Sequence, residues 1–109
     1  MEYERKKGTV TVRLTGELDH CSAQSIRREL DALIAEPDVK TLILDLRDMP
    51  FMDSSGIGLV MGRYKRMHDM GADLLIANPT PPIERLIRLA SVERIVRIVY
   101  TAHSGTVKE

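Results

Sequence analysis

The residues best equipped for chemistry lie together in "FMDSSGIGLVMGRYK", residues 51–65, where Asp53 precedes two hydroxyls, Ser54 and Ser55, and three glycines follow at Gly56, Gly58 and Gly62. Three chemistries fit such a grouping: a serine nucleophile, a nucleotide cradle, or a hydroxyl that another protein modifies. A nucleophilic serine needs a base within reach, and the spacing is not the Gly-x-Ser-x-Gly of a nucleophile elbow. The chain has three histidines, His20, His68 and His103. His68 falls near the far end of the helix that Ser54 would open, roughly 20 Å away at 1.5 Å per residue. His103 belongs to an aperiodic tail, and only His20 stays in play.

A dinucleotide site would use the glycines as a phosphate-binding turn ahead of a helix. Gly56, Gly58 and Gly62 instead fall within an amphipathic pattern, and Asn78 stands where an acidic ribose contact would close the next strand. Gly58 and Gly62, four apart, read better as a small-residue face that lets another surface approach closely. For a modified hydroxyl, the local chemistry favours Ser54. Asp53 is a good helix cap, with Met52 and Ile57 placed as a hydrophobic staple around it. Ser54 then takes the first helical position, where the backbone has no use for its hydroxyl. Ser55 turns toward the flank. Phosphate on Ser54 would add about −1.5 to −2 charges at the positive end of a helix dipole.

The elements that position these residues follow from periodicity. "GTVTVRLTG" alternates Val10, Val12 and Leu14 with polar residues, predicting a strand with one buried face, and "EYERK" before it predicts an edge strand. Ile26, Leu30, Leu33 and Ile34 recur at helical spacing after Ser22 as cap, with Pro37 beyond the end. "VKTLILDL" reads as a strand covered on both faces of a parallel sheet. A helix is expected from about Ser54 to Asp69 on a stripe of Ile57, Val60, Met61, Tyr64 and Met67, stopped by Gly71. "ADLLIA" is a further strand, "NPTPPIERLIRLA" a helix capped by Thr80, and "ERIVRIVY" a last strand. The order strand-strand-helix-strand-helix-strand-helix-strand predicts an α/β fold with a mixed, mostly parallel sheet of 4–5 strands and 3–4 helices.

At 109 residues the chain suits one domain, 1–109, with residues 100–109 expected to fray. Sixteen basic and sixteen acidic side chains cancel. That balance leaves no global field for nucleic acid or anionic lipid, so neither is expected as a partner. Cys21 is the single cysteine and the N-terminus lacks an apolar secretory core, which point to the cytoplasm. No membrane span, metal or cofactor is expected, and the free protein is expected to be a monomer. Asn78-Pro79-Thr80 fails as a glycosylation acceptor because its middle residue is proline. Arg63, Lys65 and Arg66 are read as surface charges compensating the dipole of their helix.

"TVRLTGELDH" at residues 11–20, the strand "LILDL" and "FMDSSGIGLVMGRYK" together resemble the STAS domain family, in particular its anti-sigma factor antagonists, and the likeness covers almost the whole chain. The resemblance implies a non-enzymatic switch. In that family the serine after the Asp, here Ser54, is phosphorylated by an anti-sigma factor that is a serine kinase with bound ATP or ADP. The unphosphorylated form binds this kinase and frees a sigma factor. Phosphorylation ends the interaction until a serine phosphatase reverses it. The same resemblance implies that Asp19 in "GELDH" lies beside the phosphorylation loop and helps engage the kinase. The partner surface is then expected to take in Met52, Asp53, Ser54, Ser55 and Gly56, with Gly58, Leu59 and Gly62 as a contact patch on the helix, Leu59 fitting the core equally well. A general stress pathway would share all of these residues. Family members often finish with an amphipathic helix, for which "YTAHSGTVKE" is a poor candidate.

Overall fold

A computed structural model describes residues 1–101 and the backbone of Val107–Lys108. The strands are β1 (Glu2–Lys6), β2 (Thr9–Thr15), β3 (Thr41–Asp48), β4 (Asp73–Ala77), β5 (Arg97–Thr101) and β6 (Val107–Lys108), in that order across the sheet. The helices are α1 (His20–Ile34), α2 (Ser54–Asp69) and α3 (Pro81–Leu89), and a short 3-10 turn covers Val92–Arg94. β2 to β5 run parallel, while β1 and β6 pair antiparallel at the two edges. The mixed, mostly parallel α/β sheet therefore forms as expected, with a two-residue sixth strand added. Tyr100 and Thr101 belong to β5 and Val107 and Lys108 to β6. Residues 102–106 and 109 lie outside the described residues.

Strand order and chain order coincide, and this decides where the core sits. Each parallel crossover steps in the same direction, and crossovers of one hand then place every helix on the same face. Register aligns Val10, Leu42 and Leu74 in one row and Val12, Leu44, Ile76 and Ile98 in the next. Onto this face pack Leu30, Leu33 and Ile34 of α1, Leu59, Val60 and Met67 of α2, and Ile83 and Ile87 of α3. "VKTLILDL" is thus not sandwiched between helix layers, contrary to expectation. Its other face carries Ile43, which joins Ala77 and Val99 in a smaller apolar cluster, and Asp45.

Asp45 is the one buried charged residue among those described. Its carboxylate accepts from the backbone N–H and the Nε of Arg47, and from Nδ2 of Asn78 at 3.2 Å. Asn78, at a left-handed φ of 53°, also donates to Thr101 Oγ1 and accepts the Thr101 N–H at 2.8 Å. Three strand ends are joined by this network, which satisfies a charge that would otherwise be costly to bury.

Three boundaries differ from the sequence reading. α1 begins a turn earlier than Ser22 because Asp19 caps it, and Ser22 completes a reciprocal capping box as the third helical residue. "ERIVRIVY" divides into the 3-10 turn and β5, since Val96 donates back to the Val92 carbonyl at 2.8 Å. At the start of α3 the Thr80 hydroxyl donates to the Met49 carbonyl rather than capping its own helix.

Candidate functional site

β2 and β3 are parallel neighbours, so the loops leaving them emerge at the same end of the sheet. The two loops are pinned together. Leu18 and Met52 form a parallel bridge, with Leu18 N–H donating to the Phe51 carbonyl at 3.0 Å and Asp53 N–H to the Leu18 carbonyl at 3.1 Å. The next residue on each side is a helix cap. Asp19 Oδ1 accepts the Ser22 N–H at 2.9 Å, and Asp53 Oδ1 accepts the Ser55 N–H at 2.8 Å. Two helix N-termini, each with its own carboxylate, therefore stand beside one another, and α1 packs against α2 behind them.

The hydrogen bond from the Ser22 backbone N–H is the main reason the Asp19 carboxyl titrates below the usual range, opposed in part by desolvation. Ser54 opens α2, exposed, and its hydroxyl makes no hydrogen bond among the described residues. Asp53 has already supplied the cap, as the sequence suggests. Ser55 is half-buried and faces a groove between α1 and α2 of about 500 Å³, lined also by His20, Arg27, Gly58, Gly62 and Arg63. His20 shares that groove but hydrogen-bonds to neither serine. His68 stacks on Tyr64, with ring centroids 5.6 Å apart, one turn back along α2.

The predicted surface residues separate into two groups. Asp19, Asp53, Ser54, Ser55, Gly58 and Gly62 are exposed or half-exposed and lie at the paired loops or along the groove. Met52, Gly56 and Leu59 are buried. Met52 and Leu18 close over Gly56, where an added Cβ would come within 2.1 Å of Met52 Cγ. These three shape the site from beneath, and Leu59 belongs to the core.

Gly58 and Gly62 are different. A Cβ at either would meet no atom within 4 Å. Glycine inside a helix costs about 1 kcal/mol relative to alanine, and nothing within the described fold requires that cost at either position.

Two features escaped the sequence reading. Phe51, the chain's single phenylalanine, is 47% exposed on the loop beside Ser54. Arg63 is not a surface charge: only 12% of its side chain is exposed, and its Nε lies 2.9 Å from Asp31 Oδ1 on α1. Burial holds its pKa below that of an ordinary guanidinium, against the pull of Asp31. Arginine four residues before Met67, on a stripe that also includes Gly56 and Val60, was the available signal. Among the described residues there is no grouping of three metal-binding side chains, and no helix is long and apolar enough to cross a membrane.

Comparison with known proteins agrees with this architecture. The chain is 35% identical over 98 residues to an anti-sigma F factor antagonist of Paenibacillus polymyxa, covering 90% of this chain and 84% of the relative. It is 29% identical over 105 residues to an anti-sigma-B factor antagonist of Bacillus subtilis (strain 168), covering 96% and 94%. The solved structure of the anti-sigma factor antagonist SpoIIAA in its unphosphorylated form superposes with a TM-score of 0.82 at 29% identity, over 94% of this chain and 89% of that one. The phosphorylated form of Bacillus SpoIIAA superposes at 0.76, with 29% identity over 94% and 92%. A family model for the STAS domain matches residues 1–105, from the edge strand β1 past the end of β5. With one-sided helices, paired capping loops and that match over nearly its whole length, this chain belongs to the STAS domain family.

Proposed function

We propose that this protein is an anti-sigma factor antagonist switched by phosphorylation of Ser54. The observation that carries the proposal is the Ser54 hydroxyl itself, exposed at the first position of α2, unbonded, and relieved of capping by Asp53. Such a hydroxyl can be presented to a kinase without unfolding anything. In support, relatives at 35–37% identity are anti-sigma F factor antagonists, and one solved relative has both an unphosphorylated and a phosphorylated form. The lower identity to anti-sigma-B factor antagonists, 23–29%, favours the sporulation-type pathway over the general stress type.

In this mechanism the unphosphorylated chain docks on an anti-sigma serine kinase with bound ATP or ADP, in the cytoplasm, and so frees a sigma factor. The contact surface is Asp19, Phe51, Asp53, Ser54, Ser55, Gly58 and Gly62, held in shape by Met52, Gly56 and Leu59. Phosphate on Ser54 meets exposed N–H groups and the positive end of the α2 dipole, a local stabilisation of about 0.3–1 kcal/mol. Within the docked interface the same charge faces Asp53 and lacks a solvent shell, a cost of several kcal/mol. The partner leaves while the fold stays. A serine phosphatase then restores the hydroxyl.

Incubating the protein with the anti-sigma kinase and ATP should add one phosphate, located on Ser54 by mass spectrometry and lost in Ser54→Ala. Phosphate on Ser55 would overturn the assignment.

A further inference from the structure

The groove between α1 and α2 carries a charge imbalance that the fold leaves uncompensated. Arg63 and Arg66 share a single carboxylate, Asp31 Oδ1, at 2.9 and 3.3 Å. Arg27, exposed on α1 at the rim of the groove, has no carboxylate partner among the described residues and is close enough to Arg63 for the like charges to be felt. Three guanidiniums thus answer to one acid.

The Arg63 side chain is also incompletely satisfied. Its Nε is poorly aligned for a hydrogen bond to Asp31 despite the short distance, and its buried Nη1 has no acceptor. A buried donor without an acceptor is unfavourable. The floor of the groove is the exposed face of Gly58 and Gly62, where a visiting side chain can reach the helix backbone unobstructed.

We propose that this groove receives an acidic side chain of the anti-sigma partner, with Arg27 and Arg63 contacting its carboxylate. The guanidinium fork matches a carboxylate in shape and charge, which gives such pairs both strength and direction. A groove of about 500 Å³ is far larger than one small anion fills, and suits a side chain delivered by a helix or loop that covers the opening. Ser55 lines the same groove, which makes it continuous with the Ser54 surface. The proposal rests on that surface being the docking site.

The test measures binding of the purified anti-sigma kinase, with ADP, to wild type, Arg27→Ala and Arg27→Glu at low and high salt. Arg27 is exposed, so both variants should fold, which their unfolding midpoints would verify. Arg27→Glu should weaken binding at least tenfold and Arg27→Ala less, both flattening the salt dependence. Arg27→Glu binding within twofold of wild type, with an unchanged salt slope, would overturn the proposal while leaving the Ser54 switch intact. Stabilisation of wild type by millimolar acetate or phosphate, lost in Arg27→Ala without any change in partner affinity, would also overturn it by assigning the groove to a free anion. A wild-type chain that bound no anti-sigma partner would take down the docking surface and this proposal together.

Discussion

In the proposed switch single residues matter most, and glycine is the most informative of them. Gly58 and Gly62 weaken α2 with no steric reason inside the described fold. Gly58→Ala should therefore stabilise the free protein by about 0.5–1 kcal/mol in urea unfolding. The same substitution should weaken the anti-sigma complex, because the added methyl stands where the partner approaches. Gly56→Ala should behave in the opposite way, losing about 1–3 kcal/mol by overpacking against Met52 and Leu18.

Asp19 supplies a pH signature. Its folded pKa lies below that of an ordinary aspartate, so its contribution to stability is complete above the ordinary value and fades as pH falls through the folded pKa. Unfolding midpoints measured from pH 5 downward should fall more steeply for wild type than for Asp19→Asn. The place of Ser54, exposed at the start of α2, was legible in sequence because capping is local, decided by Met52, Asp53 and Ile57. The place of Leu59 was not. Ile57, Met61 and Tyr64 drew the apparent stripe of α2 to one side, whereas Gly56 and Arg63, both counted as outward-facing, lie on its inward side.

At the scale of elements, each helix is started by a different device. Asp19 and Ser22 form a reciprocal box, Asp53 caps alone, and Thr80 turns away to hold the Met49 carbonyl. Asp53→Ala should cost about 1 kcal/mol and loosen the first turn of α2, whereas Asp53→Asn should retain most of the stability. Strand β2 and helix α2 were legible because their apolar periods are long and regular. The 3-10 turn at Val92–Arg94 was not, since its hydrogen bonds span three residues and repeat only once. Ile95 and Val96, which follow it, passed for the first half of a strand.

For the whole molecule, sequential strand order leaves the helices on one face and a polar seam on the other. That one-sidedness follows from crossover direction, which no single segment of the sequence encodes. The seam of Asp45, Arg47, Asn78 and Thr101 joins residues more than twenty positions apart, and periodicity cannot report such a pairing. Asn78→Ala should lose about 2–4 kcal/mol, combining the left-handed backbone with orphaned partners of Asp45 and Thr101. Asn78→Gly should recover only the backbone part.

The most direct test of the switch compares affinities for the anti-sigma kinase, in the presence of ADP, of the unmodified chain and of the chain carrying phosphate on Ser54, by titration calorimetry. Loss of several kcal/mol predicts at least a hundredfold weaker binding for the phosphorylated chain, with its unfolding midpoint held or slightly raised. Equal affinity of the two forms would contradict the account.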